Sequence, residues 1–181
     1  MKLLFIVLLL AGATACYAQT DTISVSIWGM GDLKTAMSPE EAENLLHQKI
    51  ALPHNAASKG PDTVFCRYKQ VDYMLVFRTL YFNLQKQNIF LAEILCRSPK
   101  LETTAGVRIG DDKHKVIDAY KNYTISLSPR NPADSTSPYR GRALCKILYT
   151  DVHYSSKPIT FYFDNNDKIE SIAVNLAPMY Y

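Results

Sequence analysis

The chain has 181 residues, of which 48% are hydrophobic, 20% charged and 11% aromatic, and 20 Lys and Arg side chains stand against 17 Asp and Glu side chains. This composition excludes a disordered polar tail, a polytopic membrane protein, a collagen-like repeat and a strongly basic nucleic-acid-binding protein. The sequence also contains no block of five or six like charges. We therefore expect no nucleic-acid partner.

The N-terminus has the pattern of an export signal. Lys2 precedes an unbroken apolar run over residues 3–10, and small residues follow it. The run is far shorter than the roughly 20 residues that cross a bilayer, which favours a cleaved signal over a membrane anchor. We predict a signal peptide over residues 1–18. The mature protein is then exported to the periplasm, the outer membrane or the extracellular medium.

A second cleavage site is also open. Residues 13–16 (Ala-Thr-Ala-Cys) resemble a bacterial lipobox, although Ala13 stands where a large aliphatic residue is usual. Cleavage there would leave Cys16 as a lipidated N-terminus. We expect contact with a membrane only if Cys16 is lipidated.

The other three cysteines are an odd number for a compartment that permits disulfides. Cys66, Cys96 and Cys145 each end a short apolar run that is typical of a strand, which favours small buried side chains. A disulfide between Cys66 and Cys96 is the alternative. No CxxC pair occurs, so the spacing of a redox motif or a zinc knuckle is missing.

The first half of the mature chain predicts a strand, a helix and three further strands. Polar and apolar residues alternate over 22–28, and Gly29-Met30-Gly31 is typical of a turn that ends a strand. Ser38 followed by Pro39 predicts a helix start, and the apolar stripe continues to about Lys49. Strand-like runs follow near 63–71, 73–85 and 89–97.

The second half repeats this order of elements. Asp112 is a candidate cap for a second helix, and strand-like runs lie near 143–152, 158–164 and 169–176. Residues 164–167 are rich in oxygen ligands but lack the glycine and the distal glutamate of a calcium loop, so they predict a plain hairpin turn.

We therefore predict an α+β fold in which helices about twelve residues long pack on antiparallel β-meanders. Sliding the first half onto the second places Cys66 on Cys145, and the order of elements matches. This favours two tandem related units, at residues 19–101 and 102–181. The alternative is a single domain whose meanders share a common pattern.

The segment over residues 103–112 resembles a known group of exported proteins. Its Gly106-Val107-Arg108-Ile109-Gly110 stretch, followed by Asp112 and the later hairpin, is similar to proteins related to the beta-lactamase inhibitor protein and to the SmpA/OmlA (BamE-like) lipoproteins. The resemblance implies tandem helix-plus-sheet units that bind protein through a sheet face. It implies no catalysis and assigns no functional residue.

The sequence contains no recognisable catalytic or metal-binding motif. The four histidines lack HExxH spacing, and no GxSxG element is present. We predict no catalytic residue, no metal and no cofactor.

The twelve tyrosines are the feature of the sequence that says most about function, because tyrosine is common on surfaces that recognise a binding partner. Alternation along the strand at 158–164 places Tyr162 opposite Phe161 and Phe163, which makes it a candidate for an exposed sheet face beside Tyr149 and Tyr154.

These observations predict a non-enzymatic binding or assembly module of the bacterial envelope that contacts a protein partner through a sheet face. Two alternatives stay open. One is an exported hydrolase whose active site is assembled from distant residues. The other is a lipid-anchored structural lipoprotein of the outer membrane.

Overall fold

The computed structural model describes residues 22–52, 61–83, 86–128, 143–148 and 159–176. Two short helices and eleven strands form these parts of the chain. In chain order they are β1 (Ile23–Ser26), β2 (Gly29–Met30), β3 (Leu33–Lys34), α1 (Pro39–Leu46), β4 (Asp62–Tyr68), β5 (Val71–Asn83), β6 (Lys86–Cys96), β7 (Leu101–Thr103), α2 (Lys113–Ala119), β8 (Thr124–Ser128), β9 (Ala143–Leu148), β10 (Ile159–Phe163) and β11 (Ile169–Asn175).

The predicted α+β fold class is wrong, because the protein is mainly β. The helices have eight and seven residues, not about twelve, and strands dominate the described residues. Both helix starts were predicted correctly. The apolar stripes continue beyond each helix because the following loops also bury residues, such as Ile50 after α1.

A seven-stranded sheet is the main body of the fold. Its strand order is β4-β5-β6-β11-β10-β9-β8, and every neighbouring pair is antiparallel. The strands from the first half of the chain thus meet the strands from the second half where β6 pairs with β11.

One row of paired residues crosses this sheet on a single face. Each member pairs with the next, and all of them belong to the main hydrophobic core. In order across the sheet, the row is Cys66, Tyr73, Cys96, Ile172, Phe161 and Cys145. Cys66 and Cys145 hold matching positions at equal distance from the central junction. The two halves still cannot be aligned with one constant shift in residue number. Only residues 69–70 join β4 to β5, whereas ten residues separate β9 from β10.

A small four-stranded sheet and the helices pack on this face of the large sheet. The small sheet has the order β3-β2-β1-β7, and β1 and β7 are parallel. It contributes Val25, Met30 and Leu33 to the core, while α1 contributes Ala42 and α2 contributes Val116.

The Gly-Met-Gly segment is where the prediction of a strand-ending turn is wrong. Gly29 and Met30 form β2, and residues 27–28 make the turn instead. A Cβ atom at Gly29 would lie 1.9 Å from the carbonyl oxygen of Leu33, so only glycine lets β3 pair this closely.

Side-chain caps set the first turn of each helix. The Ser38 hydroxyl accepts from the backbone N–H of Glu41, and the Glu41 carboxylate accepts from the backbone N–H of Ser38. The Asp112 carboxylate accepts from the backbone N–H of Lys115 at 2.9 Å. α1 ends at Leu46 because His47 adopts a left-handed conformation.

None of the described helices combines the length and the apolar character that crossing a bilayer requires.

Candidate functional site

The tyrosines that the sequence singles out do not form a described surface. Tyr149 and Tyr154 lie outside the described residues. Tyr162 does point away from Phe161 and Phe163, as alternation predicts, but its side chain is only 5% exposed. It packs with Met74 and its neighbours on the second face of the large sheet. The exposed ring that we expected is therefore absent, and a binding role for Tyr162 stays a prediction.

The three cysteines are buried free thiols. Cys66 and Cys96 both pair with Tyr73, one from each side, so a whole strand separates them. Two strand spacings amount to about 9–10 Å, beyond the reach of a disulfide. The alternative of a Cys66–Cys96 bridge is wrong for this fold. Burial raises the pKa of each thiol to about 11, which keeps it protonated.

A cleft of about 910 Å³ lies between the small sheet and the turn that joins β4 to β5. Residues 22–24 and 31–32 line it from the small sheet, and residues 68–70 line it from the turn. Met30, Tyr73 and Lys100 complete the lining. We call it the Lys69 cleft.

An ion pair joins the two sides of the Lys69 cleft. The Lys69 ammonium donates to Asp32 Oδ2 at 2.7 Å, and the Tyr68 hydroxyl donates to the same oxygen at 3.1 Å. The hydrogen bond from Lys69 is the main cause that lowers the pKa of Asp32, and the Asp32 carboxylate raises the pKa of Lys69. Both groups are largely exposed, so the pair positions Lys69 more than it stabilises the fold.

The turn beside this ion pair has an unusual sequence for its shape. Lys69 and Gln70 both have positive φ, at 47° and 61°. Two such residues in a two-residue hairpin loop define a type I′ turn, for which Asn-Gly is the usual sequence. Lys69 and Gln70 thus hold strained conformations at the mouth of a cleft, a placement that is common at functional sites.

Tyr73 lies in the lining of the cleft with its side chain only 3% exposed. Its hydroxyl makes no hydrogen bond with any described residue, although the Asp32 carboxylate is near enough to contribute to its raised pKa. The main cause of that raised pKa is burial. The hydroxyl oxygen is not among the buried atoms that lack a partner, so it keeps contact with solvent although the ring is buried.

The outer edge of β4 is the second notable surface. Phe65 is 74% exposed on this strand. β4 pairs with β5 over seven successive residues without a bulge, its sequence contains neither Lys nor Pro, and Arg67 is its one exposed charged side chain. Natural sheets usually protect an edge with such features.

The sequence missed both surfaces for the same reason. A strand-like run shows that β4 exists, but position at the edge of a sheet depends on pairing between distant segments. The Lys69 cleft needs the small sheet, which β7 completes from residues far along the chain. The only local signal was the polar break between two apolar runs at residues 69–70.

Within the described ranges, no three His, Cys, Asp or Glu side chains are grouped so as to hold a metal ion. The oxygen-rich hairpin is occupied with its own backbone, as predicted for a plain turn. Asp164 Oδ1 accepts from the backbone N–H groups of Asn166 and Lys168, at 2.8 and 2.9 Å.

Comparison of the chain with known protein families, with curated proteins and with solved structures gave no match. The resemblance to the beta-lactamase inhibitor protein and the BamE-like lipoproteins accordingly stays a prediction.

Proposed function

We propose that the protein is an exported, non-enzymatic binding protein that takes an extended segment of a partner protein along the outer edge of β4. The observation that carries the proposal is Phe65, a large apolar side chain exposed on an edge strand that has no bulge. An added strand supplies main-chain hydrogen bonds, and an exposed side chain such as Phe65 supplies selectivity.

The hydrogen-bonding pattern of β4 suits an added strand. Tyr68 and Val71 flank the two-residue turn, so they form a hydrogen-bonded pair. Alternate residues Thr63, Phe65 and Arg67 then direct their backbone N–H and C=O groups away from β5. None of the three backbones bonds to another described residue, so this row is free to pair with a partner.

The described residues give less support to an exported hydrolase. A carboxyl group that acts as a general acid needs a raised pKa. A cysteine that acts as a nucleophile needs a thiol with a lowered pKa. The carboxyl of the Lys69 cleft and the three buried thiols are shifted in the opposite directions.

Photo-crosslinking in cells that make the protein tests the proposal. A photoreactive phenylalanine at position 65 should give a discrete adduct with one partner, whereas the same group at Tyr123 should not. Tyr123 is a matched control because it is also an exposed aromatic residue.

Thr63→Pro separates strand addition from simple apolar contact. It removes an N–H that β5 does not use, so the fold should persist while the adduct at position 65 is lost. No adduct at position 65, or an adduct that survives Thr63→Pro, would contradict strand addition at β4.

A further inference from the structure

The Lys69 cleft contains polar side chains that are free to donate hydrogen bonds to a ligand. The Lys100 ammonium and the Gln70 side chain make no hydrogen bond or ion pair with another described residue. Asp32 is the only carboxylate among the described residues of the lining, and the hydrogen bonds from Tyr68 and Lys69 already engage it. A ligand that engages the Lys100 ammonium must bring an acceptor, because an ammonium group can only donate.

Tyr73 contributes a hydroxyl group from a buried ring to the lining of the cleft. Its strand is held between β4 and β6, where Tyr73 pairs with Cys66 and Cys96, and its ring is buried. The hydroxyl makes no hydrogen bond with a described residue and keeps contact with solvent, so it can donate to a ligand atom that accepts a hydrogen bond.

The charges around the cleft favour an anion. Lys69 and Lys100 line it, and Lys34 lies at its rim, where its ammonium donates to the backbone carbonyl of Gly31. Three ammonium groups therefore lie in or beside the cleft, against one carboxylate in its described lining. Their summed potential attracts a negative ligand into the cleft.

The size of the cleft and its apolar lining residues favour an organic ligand over an inorganic ion. The volume of about 910 Å³ is typical of sites for small organic molecules and exceeds the needs of an inorganic anion. Ile23 is partly exposed and offers apolar surface to the body of a ligand, and Tyr68 offers the face of its ring.

We propose that the Lys69 cleft binds a small organic acid. Its carboxylate accepts hydrogen bonds from Tyr73 and Lys100, with Gln70 as a third donor at the mouth. Its carbon body packs on Ile23 and Tyr68. This site is independent of the β4 edge, since neither Phe65 nor Thr63 lines it.

A titration followed by ¹⁵N NMR tests the site, with three probes and the chain from Gln19 to Tyr181. 3-Phenylpropionate should shift the backbone amides of residues 23–24, 31 and 70. 3-Phenylpropanamide has nearly the same shape without the charge, so it should bind at least about tenfold more weakly. Inorganic phosphate should also bind more weakly, because it lacks an organic body.

Variants of the lining connect the signal to the proposed donors. Lys100→Ala and Tyr73→Phe should each weaken binding of 3-phenylpropionate by about fivefold or more, because each removes one hydrogen bond to a charged group. Lys121→Ala, an exposed lysine outside the lining, should leave binding unchanged. The spectrum of each variant without ligand reports whether the fold is kept.

Equal affinity for the acid and the amide would overturn the proposal. So would phosphate binding as tight as that of the acid, shifts confined to residues outside the cleft, or undiminished binding by a folded Lys100→Ala protein.

Discussion

The three thiols of the described chain share one environment on the core face of the large sheet. Cys66, Cys96 and Cys145 are at most 7% exposed; Cys96 and Cys145 lie on strands that are paired on both sides, and Cys66 lies on the edge strand β4. The sequence predicted this role because each cysteine ends an apolar run. Export would place them where oxidation is favoured, so burial is what keeps them reduced.

We predict that these thiols do not react until the protein unfolds. A pKa of about 11 against the ordinary value of 9.0 lowers the thiolate fraction about 100-fold at neutral pH, and burial also blocks access. Ellman's reagent added to the chain from Gln19 should give no rapid colour at pH 8 and three equivalents in denaturant.

A cysteine at an exposed position provides the comparison. Lys121→Cys should add one rapidly reacting equivalent to the folded protein. Rapid reaction of any native thiol would show that the core face opens under native conditions.

Tyr162 shows what alternation in a sequence can and cannot predict. The period of two correctly places it on the face opposite Phe161 and Phe163. Whether that face meets water depends on what packs against it, which no local pattern contains. Tyr162 is consequently buried with Met74, Leu95 and Ala173.

At the scale of single elements, local chemistry predicted starts better than ends. Ser38 and Asp112 cap their helices as expected, and β4 to β6 and β9 to β11 lie where apolar runs indicated. β7 and β8 were missed. β7 is only three residues long and exists through parallel pairing with β1, while β8 is a largely exposed strand at the edge of the sheet.

The turn between β4 and β5 should become more stable when its strain is relieved. Gln70→Gly places a residue that adopts positive φ freely at φ 61°, so we expect the free energy of unfolding to rise by about 1 kcal/mol. Urea denaturation measures it. Lys69 and its ion pair with Asp32 stay in place, which confines the change to the backbone.

Thr63→Gly serves as the opposite control. It places glycine in the extended backbone of β4, where glycine lowers stability. If Gln70→Gly were neutral or destabilising, the left-handed conformation at this turn would cost nothing, and the argument for strain beside the cleft would fail.

For the molecule as a whole, the decisive contacts join segments that are far apart in sequence. β6 pairs with β11 through Cys96 opposite Ile172 and Ile94 opposite Val174, and all four side chains are buried. The periodicity of a sequence does not predict which distant strands pair. The sequence could therefore suggest two related units without showing that their strands share one sheet. The boundary between residues 101 and 102 stays a prediction, and it cuts through β7.

We predict that residues 19–101 and residues 102–181 do not fold when they are produced separately. Separation exposes the buried edge of β6, including Ile94 and Cys96, and removes the β1–β7 pairing that completes the small sheet. Each segment alone should give the narrow amide dispersion of an unfolded chain in its ¹⁵N NMR spectrum. If the pairing of β6 with β11 is enough to hold the two segments together, mixing the segments should restore the wide amide dispersion of a folded protein. A dispersed spectrum from either segment alone would instead establish independent units, and the shared sheet would then be a docking of two domains with their own cores.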